Sequence, residues 1–294
     1  MSEPGETARL GYTYRGRARG SWHGEPHRDR GGGVDIRVDA TGPEDARPIL
    51  FVHGYSQSRL SWVKQFDGAL ADDYRLVAPD VRGHGESGKP RDAYDDAASW
   101  ADDLQAVVDE LGLDDPVFVG WSYGGLVISD YLSVHGTDDV AGVNFVGAIS
   151  EKGTEDAARI AGEEFVALGD PLASRDATES VAALSDFLDI CVAGELDPRE
   201  KSFMLGFNVA TPPHVREALQ ARTVVHEETL AALDVPVLLT HGEEDQVVGT
   251  AAAEKHADLV PDAETSFYEG VGHSPFWEAP ERFERELRAF VESL

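Results

Sequence analysis

Short apolar runs and longer amphipathic stretches take turns along this chain. The runs Val34–Val38, Ile49–Val52, Arg75–Ala78, Pro116–Val119, Val143–Ile149, Val235–Thr240 and Glu264–Tyr268 predict strands. The central ones (ILFV, VFV, VPVLL) are continuously apolar rather than alternating. Strands read this way when helices cover both faces of a mainly parallel sheet. Between the runs, apolar residues recur at helical spacing. In Ala97–Leu111 they are Trp100, Leu104, Val107, Val108 and Leu111, one face of a helix. Gly124–Val134, Thr250–Leu259 and Pro280–Val291 carry similar patterns. Such alternation predicts an α/β fold with right-handed crossovers.

The rhythm breaks once. Residues 151–227 hold the helical patterns Ile160–Leu168, Val181–Leu188, Arg199–Phe207 and Pro213–Ala221 and no convincing strand; the sheet resumes at Val235. This predicts a helical cap over the carboxyl edge of the sheet, where ligands of α/β sheets bind. Residues 31–150 and 228–294 then make the core, and residues 1–30 an irregular basic arm.

Composition changes the picture in two ways. With 294 residues, one cysteine (Cys191) and no apolar run near ~20 residues, the chain suits one domain with an insertion, without disulfides or membrane spans. Its polar N-terminus lacks the apolar stretch of a secretory signal, so a cytoplasmic location is expected. The second point is charge. There are 55 acidic and 25 basic residues, for a net charge of -30, and lysine occurs only at 64, 89, 152, 201 and 255. The acids are dispersed in pairs such as Asp72-Asp73 and Asp114-Asp115. A surface of this kind suits molar salt, as in halophilic proteins, and repels nucleic acid and anionic membranes. Only the first thirty residues are basic, through Arg9, Arg15, Arg17, Arg19, Arg28 and Arg30. A small-molecule substrate is the expected partner, with homo-oligomerisation left open.

Candidate chemistry centres on VFVGWSYGGLVIS, Val117–Ser129. An apolar strand runs into Ser122 and a helix leaves it. Small residues two before (Gly120) and two after (Gly124) let strand and helix approach, the G-x-S-x-G nucleophile-elbow pattern. A helix start there favours developing negative charge. A serine hydroxyl needs a base, and the base an orienting acid. His241-Gly242-Glu243-Glu244-Asp245 follows one late strand, and Gly270-Val271-Gly272-His273-Ser274 follows the next. Ser122, Asp245 and His273 thus fall in the chain order of the elbow folds. Glu243, Glu244 and Glu151 are alternative acids.

Four segments resemble the α/β-hydrolase superfamily over residues 33–294: Phe51-Val52-His53-Gly54-Tyr55, Asp80-Val81-Arg82-Gly83-His84-Gly85-Glu86-Ser87, the elbow, and the Asp245 and His273 loops. GWSYGGLVISDYL is most similar to the cofactor-free haloperoxidase and esterase branch. The resemblance implies Ser122 as nucleophile, His273 as base and then acid, and Asp245 as orienter of the imidazole. It places the oxyanion hole at the backbone N–H groups of Tyr55 and Tyr123, and requires no cofactor or metal. His53 and His84 are expected to be structural, and His23 and His27 have no partner cluster for a metal. Trp121, Phe187, Phe203, Phe207 and Phe276 are candidates to line a substrate pocket or only to pack the cap on the core. Cys191 reads as a buried filler. The leading function is hydrolysis of carboxylic esters. The alternatives are another bond on the same triad (C–C hydrolase, amidase, lactonase, hydroxynitrile lyase, perhydrolase) or a hydrolase-fold receptor.

Overall fold

The computed structural model describes residues 33–260 and 262–294. The basic arm, with its arginines and with His23 and His27, lies outside the described residues. Seven strands form one sheet. In chain order they are β1 (Val38–Thr41), β2 (Pro48–Val52), β3 (Arg75–Pro79), β4 (Val117–Trp121), β5 (Gly142–Val146), then, after a helical segment, β8 (Val237–Gly242) and β9 (Glu264–Tyr268). Between β5 and β8 lie two short strands, β6 (Glu151–Lys152) and β7 (Val224–Val225). The sheet order is β1-β3-β2-β4-β5-β8-β9, with β1 antiparallel to β3 and the remaining neighbours parallel. Every residue of β2, β4, β5 and β8 is buried, as continuous apolar runs require.

The longer helices are α1 (Ala97–Leu111), α2 (Tyr123–His135), α3 (Ala177–Ile190), α4 (Pro198–Asn208), α5 (Pro213–Ala221), α6 (Ala251–Leu259) and α7 (Pro280–Glu292). α1 starts where the Asp96 carboxylate accepts from the Ala98 N–H, and stops at left-handed Gly112. The sheet separates two apolar clusters. One holds Trp100, Leu104, Phe118, Ile128 and Phe145; the other Phe51, Trp62, Trp121, Phe276 and Phe283.

Several expectations change. The first strand begins at Val38, because residues 35–37 bond to loops instead: Arg37 N–H reaches Ser87 Oγ, and Asp35 and Arg37 carbonyls accept from Gly88 and Asp80. The fifth ends at Val146, after which Ile149 N–H turns to the Ser122 carbonyl. The stretch 151–227 does contain strand: β6 and β7 pair antiparallel, Glu151 opposite Val225, and tie the two ends of the helical segment together. Two residues apiece were too short to show any period. The helix expected over Ile160–Leu168 is two pieces, Glu155–Ile160 and Glu163–Ala167. The break is at Gly162, whose N–H bonds Val247 O and where a Cβ would fall 1.8 Å from Gln246 O. The helical segment is thus laid directly on the loop that carries Asp245.

Candidate active site

β4 ends at Trp121 and α2 begins at Tyr123, so Ser122 alone makes the turn. Its φ of 54° and ψ of -120° lie where residues with a Cβ are rarely found. The close approach shows at Gly124, where a Cβ would stand 2.2 Å from the Val52 carbonyl oxygen. Ser122 N–H is tied to Val146 O at 3.0 Å. Ser122 is only 8% exposed.

Asp245 and His273 follow β8 and β9 at the same edge of the sheet. His273 Nδ1 lies 2.7 Å from Asp245 Oδ2. Asp245 Oδ1 accepts from the Val247 and Val248 N–H groups at 2.8 and 2.9 Å. Burial opposes the charge, yet the His273 and His241 rings beside the carboxylate hold it well below the usual range. An ionised carboxylate only accepts, so His273 Nδ1 carries a hydrogen, and in the uncharged ring Nε2 keeps a lone pair. That Nε2 is buried and has no partner among the described residues. Trp121 steadies the ring: its Nε1 donates to the His273 carbonyl at 2.8 Å, and the rings lie 5.4 Å apart. The Glu278 carboxylate accepts from Gly272 and Ala193 N–H groups, pinning the same loop to the end of α3. Glu243 and Glu244 are exposed, and Glu151 is engaged with Thr154 and Lys255, so none of the three faces His273 in place of Asp245.

The loop after β2 reaches the serine from the other side. A Cβ on Gly54 would stand 3.0 Å from Ser122 Cβ and 3.5 Å from its Oγ. Two histidines fix this loop. Val81 N–H donates to His53 Nε2, so Nδ1–H donates to Gly54 O. Ser56 N–H donates to His84 Nε2, so Nδ1–H donates to Arg82 O. Burial pushes the two down to about 4 and about 3, and both are neutral. Asp80 accepts from Arg59 N–H, from its guanidinium and from Glu86 N–H, closing the Asp80–Ser87 turn against the loop. Among the described hydrogen bonds none engages the backbone N–H of Tyr55 or Tyr123. The Tyr55 hydroxyl accepts from Gln220 Nε2 of α5.

The expected pocket residues part company. Trp121 and Phe276 line a small cavity with Gln57, Leu188 and Met204. Phe187 packs its edge on Tyr55, and Phe207 is buried in the second apolar cluster. Phe203 lies one turn before Phe207 and is 42% exposed, its ring edge-on to Phe207 and away from the cavity. Cys191 is buried on the cavity wall, and burial pushes its thiol up. Among the described residues no cluster of metal-ligand side chains forms, and no helix is long and apolar enough to cross a membrane.

Two features escaped the sequence reading. His241 places a second ring on Asp245, 3.2 Å from Oδ2; only its spacing four residues before Asp245 hinted at this. The second is a buried cluster at the far end of the helical segment. Asp130, on α2, accepts from Arg222 Nη2 at 2.6 Å and from His226 Nε2 at 2.8 Å. Arg222 also reaches the Tyr123 hydroxyl at 3.4 Å. Arg222 and His226 lie more than ninety positions from Tyr123 and Asp130 in sequence, and no local pattern pairs them.

A family model for the alpha/beta hydrolase fold matches residues 47–280. The chain is 30% identical over 280 residues to a bifunctional esterase/perhydrolase of Acinetobacter calcoaceticus, covering 89% of this chain and 97% of that one. It is also 30% identical, with the same coverage, to a non-heme chloroperoxidase of Streptomyces lividans. Among solved structures, an esterase from a Rhodococcus species superposes with a TM-score of 0.84 at 40% identity, over 89% of this chain and 96% of that one.

Proposed function

The chain belongs to the α/β-hydrolase family, on the branch of the non-heme haloperoxidases and esterases, and on that premise we propose that it hydrolyses carboxylic esters through an acyl-enzyme on Ser122. One observation carries the reading. His273 is anchored on Asp245 through Nδ1 and keeps a buried, unengaged Nε2 at the edge of the sheet where Ser122 is raised. Nε2 takes the Ser122 proton as Oγ bonds to the ester carbonyl carbon. The carbonyl oxygen becomes an oxyanion, received by the N–H groups of Tyr55 and Tyr123; such donors contribute about 3–4 kcal/mol each. When the C–O bond breaks, Nε2–H protonates the leaving alcohol. Water then repeats the sequence on the acyl-enzyme, releasing the acid and restoring Ser122. Hydrogen peroxide in place of that water would give a peracid, which the esterase/perhydrolase relative makes worth assaying. No step calls on a cofactor. The helical segment acts as the cap, through its contacts with Tyr55 and with the Asp245 loop.

A fluorophosphonate should label Ser122 alone and stop turnover of p-nitrophenyl esters, and EDTA should leave the rate unchanged. Label on another residue, or a metal-restorable loss on chelation, would overturn the assignment.

A further inference from the structure

Between the core and the helical segment, lined by residues next in sequence to Ser122 and His273, is a small cavity. Trp121, which precedes Ser122, and Ser274, which follows His273, form one side; Leu188 of α3 and Met204 of α4 form the other. The free space inside is close to that of one water molecule. The walls are mainly apolar, with Phe276 and Trp277 completing them, and among the described residues no lysine or arginine lines them.

Gln57 also lines this cavity and is 2% exposed. Its Oε1 accepts from Ser61 Oγ and from Asn208 Nδ2, both at 3.3 Å. Asn208 Nδ2 also donates to the Met204 carbonyl at 2.9 Å, which fixes which way that amide faces. The Gln57 oxygen must therefore face Asn208, and its Nε2 is left buried without a partner among the described residues. A buried amide donor with no acceptor costs free energy unless something supplies one.

We propose that this cavity seats the short acyl chain of the substrate and that Gln57 Nε2 donates a hydrogen bond to a neutral oxygen carried on that chain, an ether, hydroxyl or keto oxygen. The proposal rests on the ester-hydrolase reading and deepens it. A charged acceptor is disfavoured because no cation lines the walls. The tight walls limit the chain to a few heavy atoms, and Met204, the most adaptable wall residue, makes the room. Gln57 is thereby a specificity-determining residue.

The test compares p-nitrophenyl methoxyacetate with p-nitrophenyl butyrate, which have the same leaving group and chain length and differ by one ether oxygen. Dividing the ratio of kcat/KM by the ratio of their alkaline hydrolysis rates removes intrinsic reactivity. The unaltered protein should favour the methoxyacetate about fivefold on this scale, as one neutral hydrogen bond allows. Gln57→Leu and Gln57→Met should each return the ratio to near one; a folding defect cancels in a ratio. A ratio near one in the unaltered protein, or one within twofold of its own in both variants, overturns the proposal. If neither ester is turned over, the hydrolase reading fails separately, and calorimetry with methoxyacetamide and butyramide decides the subsite. Tighter binding of the methoxyacetamide that Gln57→Leu abolishes sustains it, and equal binding overturns it.

Discussion

This protein holds two buried histidine–aspartate pairs, and they are wired oppositely. In His273–Asp245 the carboxylate is satisfied by two backbone N–H groups and the His241 ring, and no arginine or lysine among the described residues bonds to it. The distal His273 nitrogen has no partner among the described residues. In His226–Asp130 the carboxylate is neutralised by Arg222, both side chains being fully buried, and the ring spends its Nε2 on the ion pair. The same two residue types therefore serve different ends. The first leaves a buried basic atom without a partner among the described residues; the second ties β7 and α5 to the serine's helix. What separates them is the third partner, backbone amides in one case and a guanidinium in the other.

The largest expected effect breaks the first pair. Ser122→Ala or His273→Ala should lower kcat/KM for p-nitrophenyl butyrate at least a thousandfold with unchanged circular dichroism. His226→Gln should lower it less than tenfold. Equal losses for His273→Ala and His226→Gln would dissolve the contrast.

Breaking the second pair should cost stability instead. Arg222→Met strands the Asp130 carboxylate without its cation, and a loss of about 3–5 kcal/mol is expected in urea titrations. Adding Asp130→Leu should recover most of it, since no buried charge then lacks a partner. A double variant no more stable than Arg222→Met would show that the ion pair is not the origin of the loss.

A smaller effect comes from the histidines that belong to neither pair. Burial pushes His53 down to about 4, His84 to about 3 and His256 to about 3. In the unfolded chain such groups protonate near ~6.5. The unfolded state then binds more protons as pH falls, so stability is full above about 6.5 and declines from there toward about 3. Denaturant midpoints should fall steadily from pH 7 to 5, and less steeply in His84→Gln. A flat profile would mean these rings are not held neutral.

The smallest effect concerns the acidic surface, with its net charge of -30. Screening reaches exposed charges far more than buried pairs. The melting temperature should rise by roughly 5 °C or more between 0.05 M and 2 M NaCl. The stability deficit of Arg222→Met should stay the same in both. Identical melting at both salts would remove the case for a salt-adapted surface.

The strand–helix alternation, the elbow around Ser122, and the loops bearing Asp245 and His273 were legible in the sequence. Each rests on local rules: apolar period, small residues at a tight turn, loops after strands. α1 and β9 kept the predicted bounds for that reason. Tertiary structure decided what local pattern cannot encode. The separation of exposed Phe203 from buried Phe207 depended on where α4 lies. The β6–β7 clasp needed partners some seventy residues away. Asp130, Arg222 and His226 became one cluster, and Gln57 an unsatisfied donor, only when distant segments packed. A hydrogen-bond inventory belongs to a three-dimensional neighbourhood, and the order of residues along the chain does not contain it.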